Sequence, residues 1–77
     1  MDKFYNITEL HFDQENMYFK VDGIQYKIKI CEASDKLAFA SEQTRNDFKI
    51  TPSGYGIHWQ QIDEDLSING LLKKAKR

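Results

Sequence analysis

One hairpin constrains this chain more than any other feature. Residues 17–21 and 24–30 both alternate apolar and polar side chains, and Asp22-Gly23 joins them. This arrangement is the strongest short-range hairpin signal, because both turn residues tolerate the positive φ of a type I′ turn. The turn sets a register in which apolar pairs share one face of the sheet: Val21 with Ile24, Phe19 with Tyr26, and Met17 with Ile28. The lysines fall on the opposite face: Lys20, Lys27 and Lys29.

Three further segments show strand character. Residues 6–12 carry apolar side chains at period two and predict a strand before the hairpin. Residues 48–50 and 57–59 predict a second hairpin, with the loop 51–56 rich in turn formers between them. Its register places Phe48 opposite Trp59 and Lys49 opposite His58. We therefore expect Trp59 to lie in the core.

Two regions have helical spacing. Ala33, Leu37 and Ala40, with Phe39 nearby, predict a short helix over residues 33–40, capped by Ser34 or by a preceding residue. A second turn begins at Ser41, whose hydroxyl could cap the residues that follow. The last helix is predicted over residues 67–75, with a narrow apolar stripe.

Together these elements predict an α+β fold: a small, mainly antiparallel sheet of four to five strands, built from two hairpins, with two short helices on one face. A length of 77 residues corresponds to a single domain spanning residues 1–77, with a basic tail over residues 73–77 that could fray. A core of this size supplies only a few kcal/mol, so a homodimer or a bound partner would add useful stability.

Composition narrows the classes of function. Charged residues make up 30% of the chain but balance to a net charge of −1, which argues against a surface that binds nucleic acid globally. Cys31 is the single cysteine, so an intrachain disulfide is excluded and a reducing compartment is favoured. We expect Cys31 to be a small buried or half-buried side chain. The apolar runs are too short to span a membrane and the start does not resemble a signal peptide, so a cytoplasmic location is expected.

The C-terminal half carries the most specific motif. A strand ending in Gly-x-x-Ile-x-Trp, an acidic turn and a short helix follow one another, formed here by Gly56 or Gly54, Ile57, Trp59, Asp63, Asp65 and Leu71. Leu37-Ala38-x-Ala40-Ser41-x-x-x-Arg45 and Phe48-x-Ile50 precede it. Over residues 17–72 the chain resembles the bacterial domain of unknown function (DUF) 2442 family. Gln60 stands where many members have proline after the tryptophan.

The resemblance implies a bacterial or phage-derived cytoplasmic protein. Members are often short stand-alone chains. Some are fused to a DNA-binding domain, and some are encoded beside another small protein in a gene pair that looks like a toxin and antitoxin module. The resemblance brings no catalytic residues or cofactor with it.

The favoured prediction is therefore a non-enzymatic protein-interaction or accessory module, antitoxin-like, whose partner is a small protein encoded by a neighbouring gene. The candidate contact residues lie in the glycine-flanked loop, the acidic turn and nearby exposed positions: Tyr55, His58, Asp63, Glu64, Asp65 and Arg45. His58 with the acidic turn could instead form a metal or acid/base cluster. The stronger interpretation is that the three acidic residues favour the start of the last helix through its dipole.

The alternative is a nucleic-acid-binding transcriptional regulator. Its contacts would come from the lysine face of the hairpin and from the basic tail: Lys20, Lys27, Lys29, Lys73, Lys74, Lys76 and Arg77. The same lysines also have an ordinary structural explanation, because cations complement a helix C-terminus and protect a sheet from edge pairing.

Overall fold

The structure is a computed structural model and describes residues 5–51 and 54–77. These residues contain six strands and four short helices. The strands are β1 (Ile7–Phe12), β2 (Asn16–Val21), β3 (Ile24–Lys29), β4 (Phe48–Ile50), β5 (Gly56–Trp59) and β6 (Glu64–Ser67). The helices are α1 (Ile30–Ala33), α2 (Asp35–Ala38), α3 (Glu42–Asn46) and α4 (Ile68–Lys74). The chain is thus an α+β protein, as predicted.

The first sheet has the order β1-β2-β3 and is antiparallel. The predicted register of its central hairpin is confirmed: Val21 pairs with Ile24, Phe19 with Tyr26 and Met17 with Ile28. Asp22 and Gly23 both have positive φ, 52° and 86°, as a type I′ turn requires. β1 is the predicted third strand.

The second sheet has the order β4-β5-β6 and is also antiparallel. Phe48 pairs with Trp59 and Lys49 with His58, which confirms the register of the second hairpin. The expectation of one sheet with four to five strands is wrong, because each hairpin recruits its own third strand and the two sheets stay separate. Pairing between neighbours in sequence could not reveal this division.

The helices are shorter and more numerous than the two that were predicted. The predicted helix over residues 33–40 is split at Ser34, which is extended (φ −165°, ψ 126°) and whose Oγ accepts from Leu37 N to start α2. Ser41 caps α3 by accepting from Thr44 N, as predicted. Ser67 caps α4 in the same way through Gly70 N, so the last helix begins where it was expected.

The apolar faces of both sheets meet in one core. Trp59 and Phe19 are its largest fully buried side chains, which confirms the prediction for Trp59. Phe12 packs edge-on against the indole at a centroid distance of 6.4 Å and so links the two sheets. Leu37 of α2 and Ile68 of α4 are also fully buried. Within residues 5–51 and 54–77, no helix combines the length and apolarity needed to cross a membrane.

Candidate functional site

The acidic turn does not cap a helix. Asp63 ends the β5–β6 turn at a positive φ of 49°, a conformation that aspartate tolerates better than most residues. Glu64 and Asp65 belong to β6, and the whole of that strand separates Asp63 from the start of α4. The predicted helix-dipole role of these carboxylates is therefore wrong. Sequence reasoning missed β6 because its short stretch lacks an alternation of apolar residues.

Glu64 ties the second sheet to α2. Its side chain is half-buried, and one carboxylate oxygen accepts a hydrogen bond of 2.5 Å from Ser34 Oγ. The same serine oxygen accepts from Leu37 N. Glu64 thus supports the cap of α2, which is a structural role.

His58 and Asp65 form a cross-strand pair on the outer face of the second sheet. His58 Nδ1 lies 2.6 Å from Asp65 Oδ1, and Lys49 stands opposite His58 on the other side. His58 is half-buried, whereas we had expected it to be exposed. Among the described residues, no group of three or more His, Cys, Asp or Glu side chains is placed to hold a metal ion.

Arg45 was also expected to be exposed, but it is half-buried and bonded to the backbone. Its Nε donates to Leu37 O and its Nη2 to Ala38 O, both at 2.9 Å. Its own carbonyl accepts from Trp59 Nε1 at 2.9 Å. The guanidinium therefore binds the last carbonyls of α2, and Leu37 O also accepts from Ala40 N at 3.1 Å.

Two other predicted positions lie at the surface. Tyr55 is 38% exposed, and its carbonyl accepts from Ile68 N at the start of α4. Cys31 is exposed, so the expectation of a buried or half-buried thiol is wrong. Helix α1 brings this about, since Ile30 is the residue of that helix that turns into the core.

The most exposed large apolar side chain in the described part of the chain is one that sequence reasoning left aside. Phe39 is 92% exposed, compared with 41% for Ile24. It follows the last residue of α2, and its backbone N–H still bonds to Asp35 O. Positions two residues apart on a helix point to nearly opposite sides. The burial of Leu37 therefore predicts an outward Phe39, and that signal was available in the sequence.

The basic residues are partly brought together. The backbones of Lys27 and Lys76 exchange two hydrogen bonds of 2.7 and 2.8 Å, which seats the C-terminal tail along the free edge of β3. A groove of about 300 Å³ opens there, lined by four lysines and two glutamates among other residues: Lys27, Lys29, Lys74, Lys76, Glu15 and Glu32. Lys20 does not line it and pairs with Glu9 at 2.8 Å. Lys73 and Arg77 are exposed outside its lining.

One exposed carboxylate of the first sheet is strongly perturbed. A hydrogen bond from the Tyr18 hydroxyl, together with the backbone N–H groups of Asn16 and Glu15, lowers the pKa of Asp13 to about 2. The same hydrogen bond raises the pKa of Tyr18 above 10.0. Because the carboxylate closes the β1–β2 turn with local partners, this perturbation stabilises the turn and does not by itself indicate catalysis.

Comparison with known proteins identifies a family. The family model described as "Protein of unknown function (DUF2442)" matches residues 7–77, a longer stretch than the residues 17–72 over which the resemblance was visible. No curated protein and no protein of solved structure matches the chain.

Proposed function

The chain belongs to the DUF2442 family, and from that premise we propose that it is a non-enzymatic protein-interaction module, antitoxin-like, of a small bacterial gene pair. Phe39 is the observation that carries this proposal. Fully burying a phenylalanine side chain is worth about 1.5–3 kcal/mol, so leaving Phe39 in water forgoes a gain that the fold takes at its core positions. Aromatic side chains are also among the commonest energetic anchors of protein interfaces.

The backbone beneath Phe39 is held rigidly. Leu37 anchors α2 in the core, and the Arg45 guanidinium holds the carbonyls of Leu37 and Ala38. A partner that buries the ring would therefore lose little conformational entropy by ordering the segment that carries Phe39. Such preorganisation increases affinity because the entropic cost is met during folding.

Phe39 has neighbours that suit the polar rim of an interface. Lys36 lies three residues earlier, and its Nζ contacts the carbonyl of Asp63 at 3.3 Å. Residues three apart on a helix lie on the same side, so α2 and the acidic turn form one continuous edge. We name the set Phe39, Lys36 and Asp63 the Phe39 edge. Arg45 stabilises this edge through its hydrogen bonds to the end of α2.

The test compares two exposed apolar residues. Phe39→Ser should weaken a complex with the native partner about 30- to 100-fold, which corresponds to the loss of one buried aromatic ring. Ile24→Ser is the matched control, because Ile24 lies at the tip of the hairpin and is also exposed. The partner is captured from the native host with tagged protein and identified by mass spectrometry, and its affinity is then measured with purified components. Equal affinity of both variants would reject the Phe39 edge.

The remaining candidate residues can be tested in the same complex. Reversing the charges of Asp63 and Asp65 and adding Tyr55→Ala should weaken binding while the circular dichroism spectrum stays folded. Glu64 and Arg45 are left out of this variant because both hold α2 in place. Unchanged affinity would remove the acidic turn and Tyr55 from the interface.

Nucleic-acid binding is a second candidate, favoured by the gathering of four lysines at one groove. Deleting Lys76 and Arg77 should then lower affinity for DNA or RNA and flatten its salt dependence. A chain that does not retard either nucleic acid at low salt would reject this candidate.

A further inference from the structure

The free edge of β3 offers a backbone site. Lys27 exchanges both of its backbone hydrogen bonds with Lys76, so its N–H and C=O point away from β2. Alternation along an antiparallel strand points the backbone groups of Gln25 to the same edge. Among the described residues, Lys76 is the one outside β2 that forms a bridge with β3. Lys76 thus occupies the edge at Lys27, and the backbone groups of Gln25 beside it are left for another strand.

The tail is a poor electrostatic match for the position that it occupies. In an antiparallel hydrogen-bonded pair the two side chains stand directly opposite each other on one face, and like charges there are destabilising. Lys76 therefore stands opposite Lys27, and the two side chains carry the same charge. Lys29 and Lys74 add positive charge to the same groove, which Glu15 and Glu32 offset only in part.

We propose that this edge binds an extended acidic segment of a partner protein, which displaces the tail and adds a strand to the first sheet. The inference rests on the proposed protein-binding function but uses a surface separate from the Phe39 edge. Added strands gain affinity from main-chain hydrogen bonds and specificity from alternate side chains. A glutamate or aspartate opposite Lys27 replaces a repulsion with an attraction, and the next acidic side chain on the same face reaches Lys29.

The charge pattern distinguishes this occupant from two others. A second copy of the chain pairing through β3 would oppose lysines with lysines, which is the usual protection of an edge strand against self-association. Single-stranded nucleic acid would be attracted by the lysines, but it has no peptide backbone whose N–H and C=O groups could continue the ladder of β3. An acidic strand uses both the charges and the backbone of this edge.

The test uses a fluorescent peptide of about eight residues, the length of an ordinary strand, that alternates glutamate and threonine. Its affinity for the full chain is measured by anisotropy at moderate salt. A peptide with lysine in place of glutamate and an oligothymidylate serve as competitors. We expect the glutamate peptide to bind and neither competitor to displace it.

Two variants with the same change in net charge locate the contact. Lys76→Glu places a carboxylate opposite Lys27, so the tail should hold the edge and peptide affinity should fall about 3- to 10-fold further than in Arg77→Glu. Lys76→Pro removes the N–H that bonds to Lys27 O, and it should raise affinity by about the same factor because the tail competes less well.

Each result decides the question. Equal losses in Lys76→Glu and Arg77→Glu would reduce the effect to general charge and overturn the proposal. Displacement by oligothymidylate would assign the groove to nucleic acid, and no peptide binding by Lys76→Pro would also overturn it. Phe39→Ser should bind the peptide normally, so failure at this edge can be told apart from failure of the Phe39 edge.

Discussion

Replacing Arg45 with methionine should destabilise the protein by about 2–3 kcal/mol. The change removes two hydrogen bonds of 2.9 Å from a charged donor to Leu37 O and Ala38 O. Hydrogen bonds of charged groups contribute about 1.5–3 kcal/mol each, and access of solvent to the half-exposed Arg45 reduces the sum of the two to about 2–3 kcal/mol. Methionine keeps much of the apolar contact of the side chain. The loss of stability therefore comes from the two hydrogen bonds that Leu37 O and Ala38 O no longer receive.

The assay is urea unfolding followed by the fluorescence of Trp59, the single tryptophan. The midpoint should fall with an unchanged slope, and the melting temperature should drop by about 4–8 °C per kcal/mol. Arg45→Lys should recover less than half of the loss, because one ammonium cannot match the planar fork of the guanidinium. Lys49→Met, at an exposed position on β4, is the control and should cost less than about 0.5 kcal/mol.

If Arg45→Met unfolds at the wild-type midpoint, Arg45 does not support α2. Arg45 would then remain a candidate contact residue for a partner, as the sequence suggests.

Two other predictions test local geometry. Gly54→Ala should destabilise the protein by about 3 kcal/mol or more, because the new Cβ would lie 2.1 Å from Tyr5 O at a φ of 74°. Gly23→Ala should cost only about 1 kcal/mol, because its Cβ meets no atom within 4 Å. Similar melting temperatures for the two variants would contradict this prediction. Tyr18→Phe should raise the pKa of Asp13 from about 2 toward 3.8, which NMR titration of the carboxyl would show. Since folding lowers the pKa of Asp13, the contribution of this carboxylate to stability is complete above about pH 4 and is lost as the pH falls through about 2. Tyr18→Phe should narrow the pH range over which that contribution is lost.

The two hairpins were predictable because local physics sets them. Asp22-Gly23 accepts positive φ, and a turn of that type leaves a single register for the alternating strands beside it. The second hairpin followed in the same way, since matching Phe48 with Trp59 buries both apolar faces. In these segments the turn and the pattern require the same pairing.

The misassigned elements depend on contacts between different elements, which the propensity of a single segment does not indicate. β6 contains Glu64 and Asp65, and it is a strand because it pairs with β5 and because Ser34 Oγ donates to the half-buried carboxylate of Glu64. Arg45 is half-buried for a similar reason, since its partners are carbonyls of another helix. Ser34 and Glu64 are 30 residues apart, and the partners of Arg45, although near in sequence, belong to a different helix, so local propensity indicated neither contact.

The candidate surfaces were only partly accessible to sequence reasoning. Lys27 and Lys76 are almost fifty residues apart, and the groove between them depends on a tail that returns to β3. Phe39 could have been identified from the inward position of Leu37, because residues two apart on a helix point to nearly opposite sides.

The hydrogen bonds that meet at Arg45 should also govern how the native protein opens. The indole of Trp59 donates to the backbone of α3, and the side chain of Arg45 donates to the end of α2, so two short helices are fastened to the most buried residue of β5. Helices of four or five residues would fray readily in isolation. Here the amide of Phe39 should exchange with solvent only when β5 itself opens, which makes α2, α3 and β5 one cooperative unit. The aromatic ring that faces water would then be carried by one of the slowest-exchanging parts of the molecule.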